Sequence, residues 1–382
     1  MRKRMLAMVI IVIAPFLVLL LSACTNESNT NESNEIDESR ASDFQFWWER
    51  EYNGVINENR VVTNEYNDLL LSIPLEEETD LVSIEAPEDF VIAPSFTLFS
   101  RSPHMTEDPE TGWDHFIELQ EPQDLIYIIV ENISLDIEMN FVLKIFYNYE
   151  EVAFSISGSE SYNTEFLFSP PPGYKTMIPI HLNERIETNN TANRLTVGIF
   201  MSPELFTSED EDLVWEKPSL ALNYEVNFGT RGLLSLTVDS IPSRTVLPDQ
   251  GFHSLMINND LVPLEVGARI PPSKWIASPG EEIEMAFATT PAGLINEDIE
   301  EFLIISMLDW QQIPMNNEPY LLVSLTEENR EYGHHGEFFI TAPDDPGLYE
   351  FQALLVPNPR SLNGPTNFYP LELSMRFTIA VE

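Results

Sequence analysis

The side chains best equipped for chemistry in this sequence are few and scattered. Cys24 is the single thiol of the chain, so it can build neither a disulfide framework nor a multi-cysteine metal site. One histidine pair, His334-His335, stands between Gly333 and Gly336, with Glu337 and Asp344-Asp345 nearby. Imidazoles ligate metals, but adjacent residues of a strand point to opposite faces, so both serve one ion only if the stretch is a turn. The reading taken is a polar hairpin tip and no metal centre. Glu209-Asp210-Glu211-Asp212 and Glu76-Glu77-Glu78 with Asp80 offer the oxygen ligands that Ca²⁺ takes. Neither has EF-hand spacing or its central glycine, and both are read as solvated loops. Among 63 acidic residues a catalytic pair of carboxylates has no signature of its own. Gly-x-Ser-x-Gly, a phosphate-binding glycine loop and His-Glu-x-x-His do not occur. No catalytic residue, metal ligand or cofactor is assigned.

Charge narrows the partners. The 382 residues carry 19 Lys and Arg, for a formal net charge of −44 at pH 7. Nucleic-acid binding needs clustered cations on the phosphates and is excluded as an expectation, as is docking on anionic lipid through a basic face. With 43% apolar and 11% aromatic residues the chain can still build cores. Only five of the basic residues are Lys and 14 are Arg. Arg keeps its charge where Lys begins to lose it, near pH 10, which suits an alkaline or saline exterior.

The strongest signal is at the start. Arg2, Lys3 and Arg4 precede an apolar run from Met5 to Leu21, and then come Leu21-Ser22-Ala23-Cys24. These residues resemble the leader and lipobox of bacterial lipoproteins. The resemblance implies cleavage between Ala23 and Cys24 by signal peptidase II and a diacylglyceryl group on the Cys24 thiol. With an acylated amino terminus, two signals hold the chain on the outer face of the cell membrane. Loss of the leader takes the charge to −47. An uncleaved membrane helix is the alternative; the run is short for a span and contains Pro15. From Thr25 to about Ser42 the chain repeats Asn-Glu-Ser and has almost nothing to bury. It is read as a disordered tether spanning on the order of 25 Å. Phe44, Phe46, Trp47, Trp48 and Tyr52 follow as an aromatic cluster. Membrane interface, sugar platform and domain edge are the three readings open to it, and packing is preferred, as it is for Trp113 beside His115 and for Trp275.

The elements that position these residues read as strands. Leu220–Phe228 and Leu371–Ile379 alternate apolar and polar with period two, so each buries one face. Leu125–Val130 and Phe302–Ile305 are continuous apolar runs that fit central strands. The loops hold most of the 28 prolines, and Pro170-Pro171-Pro172-Gly173 cannot continue a helix. Ile295–Phe302 alone suggests a short helical turn. Four segment pairs recur in order: Asp80–Glu85 with Asp260–Glu265, Ile128-Ile129 with Ile304-Ile305, Glu165–Phe168 with Glu337–Ile340, and Leu220–Phe228 with Leu371–Ile379. Their offsets shrink from 180 through 176 and 172 to 151, as two copies with unequal loops would give.

The turn Pro346-Gly347-Leu348-Tyr349, and less closely Pro172-Gly173-Tyr174, resembles the turn-and-tyrosine element of immunoglobulin-like domains. That resemblance implies a Tyr hydroxyl bonded back across a corner, and it implies no activity. The expected architecture is all-β, two tandem immunoglobulin-like sandwiches. Its divisions are a leader over 1–23, the tether over 24–43, a first sandwich over 44–229, a linker over 230–250 and a second sandwich over 251–382. The extra length of the first copy is expected in loops, chiefly Ser202–Lys217. The expected role is a lipid-anchored surface protein of a Gram-positive envelope. It would bind, or serve structurally with, wall polymer, an envelope protein or a small ligand. The alternative is a secreted hydrolase with a carboxylate site.

Overall fold

The fold is that of a computed structural model describing residues 51–62, 70–74, 96–101, 105–106, 116–132, 139–157, 159, 161–186, 188, 193–210, 214, 219–228, 234–242, 244–246, 255–258, 273–289, 299–325, 333–360 and 371–382. Outside these lie Leu21, Ser22, Ala23 and Cys24, the tether, Phe44 to Trp48, Trp113 with His115, and the acidic run at 76–80. The described residues belong to one compact unit. Among the described residues, apart from a 3-10 turn at Glu58–Arg60 and the helical Val214, the regular elements are strands. Among the described residues no helix is long and apolar enough to cross a membrane.

The first twelve strands are β1 (Leu71–Pro74), β2 (Phe96–Arg101), β3 (Met105–Thr106), β4 (Phe116–Glu118), β5 (Ile126–Asn132), β6 (Phe141–Tyr147), β7 (Glu150–Glu151), β8 (Phe154–Ile156), β9 (Glu165–Phe168), β10 (Tyr174–Leu182), β11 (Asn193–Met201) and β12 (Ser219–Asn227). They form an outer sheet β1-β10-β5-β2, with β8 on β10, and an inner sheet β3-β4-β12-β11-β6-β7, with β9 on β6. The rest are β13 (Ile241–Pro242), β14 (Arg244–Val246), β15 (Met256–Asn258), β16 (Lys274–Ala277), β17 (Glu282–Thr289), β18 (Glu301–Leu308), β19 (Gln311–Ile313), β20 (Leu321–Ser324), β21 (Gly333–Thr341), β22 (Gly347–Pro357), β23 (Glu372–Leu373) and β24 (Phe377–Val381). These form an inner sheet β13-β20-β18-β22-β24-β16, with β19 on β18 and β23 on β22, and an outer sheet β14-β21-β17-β15.

Each pair of sheets is a sandwich, and the two sandwiches share a common order of their main strands. Outer order β1-β10-β5-β2 corresponds to β14-β21-β17-β15, and inner order β4-β12-β11-β6 to β16-β24-β22-β18. The pairs β12–β4 and β24–β16 are both parallel. The short hairpins β6–β7 and β18–β19 occupy the same place.

This true register corrects the sequence matches. Ile128-Ile129 lies on β5, whose counterpart is β17, whereas Ile304-Ile305 lies on β18. Glu165–Phe168 is β9, but Glu337–Ile340 is part of β21, the counterpart of β10. Only Leu220–Phe228 and Leu371–Ile379 fall on equivalent strands, and Asp80–Glu85 and Asp260–Glu265 lie outside the described residues. Short aliphatic runs fit any buried strand, so they matched across different ones. Leu371–Ile379 is also not one strand, for Ser374 breaks it: its hydroxyl accepts from the Ala353 amide at 2.9 Å. Within 230–250, β13 and β14 add edges to the second sandwich, and Leu234 and Val238 are buried. The Tyr349 hydroxyl donates to the Asp345 carbonyl at 2.8 Å, the expected corner. Tyr174 opens β10, a strand not equivalent to β22, and is no counterpart.

The continuous apolar runs have a specific cause. Side chains of β18 alternate between two cores: Phe302, Ile304 and Leu308 face the interior of the second sandwich, and Leu303, Ile305 and Met307 face away from it. The second group packs with Leu354 and Val356 of β22 and with Val142 and Phe146 of β6, Phe200 of β11 and Ala221 of β12. The inner sheets therefore stack face to face, and the molecule has four layers. All seven residues of β6 and all nine of β11 are buried. A strand covered on both faces has no polar face to show, which removes the period-two pattern. Gly198 on β11 lets the Phe200 ring lie over its backbone, since a Cβ there would come within 2.6 Å of that ring.

Amide hydrogen exchange is expected to be slowest in β6, β11, β18 and β22, ahead of β10 and β17, because opening the former exposes two cores. Mass-spectrometric exchange on the whole chain checks this; equal protection in the outer sheets would refute a continuous inner core.

Candidate functional site

The seam between the inner sheets concentrates the unusual chemistry of the chain. Two hairpin tips reach across it in opposite directions. Asn148 and Tyr149 between β6 and β7 have φ of 53° and 72°, and Asp309 and Trp310 between β18 and β19 have 49° and 66°. Two-residue hairpin turns want positive φ at both positions, normally supplied by Asn-Gly or Asp-Gly. An aromatic residue in the glycine place is strained by about 1–2 kcal/mol, so its ring must earn the position elsewhere. It does so in the opposite sandwich. The Tyr149 hydroxyl donates to the Pro359 carbonyl at 2.8 Å, and Trp310 Nε1 donates to the Pro203 carbonyl at 3.1 Å.

Donors and acceptors are related by the duplication. Ser202 and Asn358, which follow β11 and β22, have φ of 49° and 43°. Their amides donate to Asn140 O at 2.7 Å and Glu301 O at 2.8 Å, equivalent positions before β6 and at the start of β18. Likewise the Asn148 and Asp309 amides donate to Arg194 O at 2.8 Å and Glu350 O at 2.7 Å. The seam is an intramolecular version of an isologous dimer contact, with each copy latched into the same place on the other.

Around the Trp310 latch lies a buried ion pair. Arg376 Nε donates to Glu350 Oε1 at 3.1 Å, and both side chains are about 2% exposed or less. The Arg376 guanidinium also donates to Met201 O at 3.0 Å, to Ser202 O at 3.3 Å and to Leu205 O at 2.8 Å, and lies 4.8 Å from the Trp310 ring centre. Glu350 accepts from the Thr207 hydroxyl, from the Thr207 amide at 3.2 Å and from the Thr378 hydroxyl at 3.0 Å. A carboxylate of the second sandwich is thus capped by the first, and the first sandwich's carbonyls hold an arginine of the second. Burial pushes the Glu350 carboxyl up and the Arg376 guanidinium down, and their mutual attraction opposes both. The break at Ser374 is what turns Arg376 into the seam.

Two more cations are buried on strands of the first sandwich's inner sheet. Lys144 on β6 is fully buried against Glu151, with Glu165 at 4.0 Å; burial lowers its amine and Glu151 acts the other way. Arg194 on β11 lies 3.5 Å from Glu225 of β12. One carboxyl lacks any such cation in its described surroundings. Glu372 on β23 is buried, accepts from the Thr289 hydroxyl at 3.1 Å, and desolvation pushes it up to about 7.

The residues singled out from sequence fall elsewhere. His334 and His335 are not a hairpin tip: both are buried inside β21, paired with Thr289 and Ala288 of β17 and Thr245 and Arg244 of β14. His334 faces the core, 6.2 Å from the Phe302 ring centre. Glu209 and Asp210 close a turn beside Phe206, and among the described residues no group of three or more His, Cys, Asp and Glu side chains could hold a metal ion. Trp275 is 6% exposed against Phe377, as a packing residue. Tyr52 of the aromatic cluster donates to the Val55 carbonyl at 2.9 Å and accepts from the Phe206 amide at 3.3 Å. Sequence reading missed the latches, though the signal exists. Tyr147-Asn-Tyr-Glu-Glu-Val152 matches Leu308-Asp-Trp-Gln-Gln-Ile313 at an offset of 161, and Met201-Ser-Pro203 matches Pro357-Asn-Pro359 at 156.

No family model matches the chain, and no curated protein matches it. Among solved structures it is similar to the C-terminal domain of the Streptococcus agalactiae AgI/II polypeptide BspA at 9% identity, over 75% of this chain and 100% of that one, with a TM-score of 0.21. It is similar to the C-terminal domain of the Streptococcus pyogenes antigen I/II-family protein AspA at 8%, over 75% and 99%, with 0.20. A red sea bream transglutaminase aligns at 9%, over 75% of this chain and 31% of that one, with 0.20. Likeness at this level says nothing of activity, and the fold stands on the registers above.

Two outcomes follow. Glu350→Leu leaves a buried guanidinium, and Arg376→Met a buried carboxylate, without its counter-charge; each should cost about 3–5 kcal/mol, whereas the double change should cost less than either single change. Urea unfolding of the four proteins checks the cycle. For Glu372 the raised carboxyl means the folded state holds its proton between the ordinary carboxylate value and about 7. Its stabilisation is complete below that ordinary value and is lost as pH rises through about 7. Glu372→Gln should therefore match the parent near pH 4 and exceed it at pH 8 by on the order of 3 kcal/mol, read by urea unfolding at both pH values.

Proposed function

We propose that the protein is a lipid-anchored module on the outer face of the cell membrane, tethered through Cys24, and that it acts by binding or by structural support, not by catalysis. Its partner class is wall polymer or another envelope protein. The observation that carries this reading is the use made of the buried charge. Arg376, Glu350, Lys144 and Arg194 are all engaged in ion pairs that fix one strand or one sandwich against another. Buried charged groups that hold strands and sandwiches together suit a module whose product is a fixed surface. Two facing carboxylates free of cations would favour a hydrolase. The pairs the described residues bring together, Glu151 with Glu165 and Glu165 with Asp309, share Lys144 and Arg60 respectively.

Cys24→Ala should abolish incorporation of a fatty-acid probe and block removal of the leader. A variant still labelled and still cut before residue 24 would rule out the anchor. Cosedimentation of the lipid-free chain with purified wall polymer, followed by analysis of the polymer, tests the role. Bound, intact polymer is expected; chain cleavage of the polymer would put the hydrolase first.

A further inference from the structure

Residues 51–62 belong to neither sandwich, yet they touch both. The segment contributes no strand: it has a bridge between Ile56 and Leu205 and the turn Glu58–Arg60. Its contacts fall on the two parts of the Trp310 latch. On the receiving side, the Asn57 amide donates to Glu204 O at 2.8 Å, and the Tyr52 hydroxyl meets the Phe206 amide at 3.3 Å. On the inserting side, Asn57 Nδ2 donates to Asp309 Oδ1 at 3.2 Å, beside Trp310 itself. Arg60, 5% exposed, spans the seam: one guanidinium nitrogen meets Glu165 of the first sandwich and the other donates to the Asp309 carbonyl of the second.

The segment is held almost wholly by polar contacts. Val55, Ile56 and Val61 are 59%, 42% and 41% exposed, so it buries little apolar surface, and such segments open first. It also lies flush on the receiving loop, because a Cβ on Gly54 would come 2.4 Å from Glu209 Cβ. Asp309, pushed up by burial and pulled back down by Arg60, has its charge balanced by this clasp.

We propose that residues 51–62 are a clasp that braces the Trp310 latch across the seam, so that tension or displacement arriving from the N-terminal side loosens one sandwich from the other before either unfolds. The clasp sits between the tether and β1, so any load carried by the N-terminal side of the chain meets it first. The inference rests on these contacts and stands whether or not Cys24 is lipidated.

The test uses the unlipidated full chain, pulled in optical tweezers through handles on Cys24 and on the C-terminus. An early, low-force step should release the clasp, lengthening the chain by on the order of 30–40 Å, as 12 residues allow, before the two sandwich unfolding events. In Arg60→Ala the step should vanish or move to lower force, with the sandwich forces unchanged. Hydrogen exchange on the same variant should rise at least tenfold at 202–207 and 308–313 and stay unchanged in β10 and β17. Gly54→Leu, which lifts the clasp without removing a charge, should do the same, and Arg60→Lys should fall between. A parent chain with no early step would overturn the proposal, as would unchanged exchange at the latch. Exchange raised equally in β10 and β17 would make Arg60 an ordinary fold-stabilising residue and end it too.

Discussion

Burying both faces of the two inner sheets is the constraint from which the rest of this structure follows. A sheet covered on one side can send its polar residues to water. Sheets covered on both sides cannot, so every polar group placed there must find a partner inside the protein. That requirement accounts for the saturation of Glu350 and Arg376, for the cross-strand pairing of Arg194 with Glu225, and for Lys144 between two carboxylates. It also turns a tandem duplication into a single unit, because the apolar seam would be a liability on either sandwich alone.

The duplication supplies the geometry of the seam as well as its parts. At equivalent positions each copy has a two-residue hairpin and a strand end stiffened by proline. Packed through the same face, the two copies offer each hairpin the other's strand end. The strained aromatic turn is tolerated because its ring is buried and its polar edge bonded, a local cost repaid by a long-range contact. The two latches are unequal. The Trp310 side has a cation–π contact and the Arg376–Glu350 pair, while the Tyr149 hydroxyl accepts from Asn223 at 3.3 Å and lies beside Arg194, which pairs with Glu225.

Acidity gives the seam a further significance. The chain has 63 acidic and 19 basic residues, yet Arg60, Lys144, Arg194 and Arg376 are all 5% exposed or less. Cations are scarce, and several are spent inside. A carboxylate on the surface needs only water, whereas one in the seam needs a positive partner or a proton. Glu372, inside the second sandwich with only the Thr289 hydroxyl beside it, has its carboxyl pushed up to about 7.

The all-β class, the sandwich count and the tyrosine corner were legible in the sequence, since turn chemistry and strand alternation are local properties that a chain carries whatever it packs against. Leu220–Phe228 reads as a strand with one buried face, and Tyr349 reads as a corner, without reference to any distant residue. The leader and lipobox are likewise local, and they remain a statement of the sequence. The alignment of the two copies lies in the hairpin and strand-end matches at offsets 161 and 156, and was not legible in the aliphatic runs, which fit every buried strand and carry no register. Nor was the histidine pair, whose flanking glycines look like a turn until β14 and β17 cover both sides of the strand. The seam was decided by the tertiary structure alone. Arg376 and Met201, or Tyr149 and Pro359, are separated by well over a hundred residues, and no local pattern marks one side chain as the partner of a carbonyl that only the stacking of two sheets brings near.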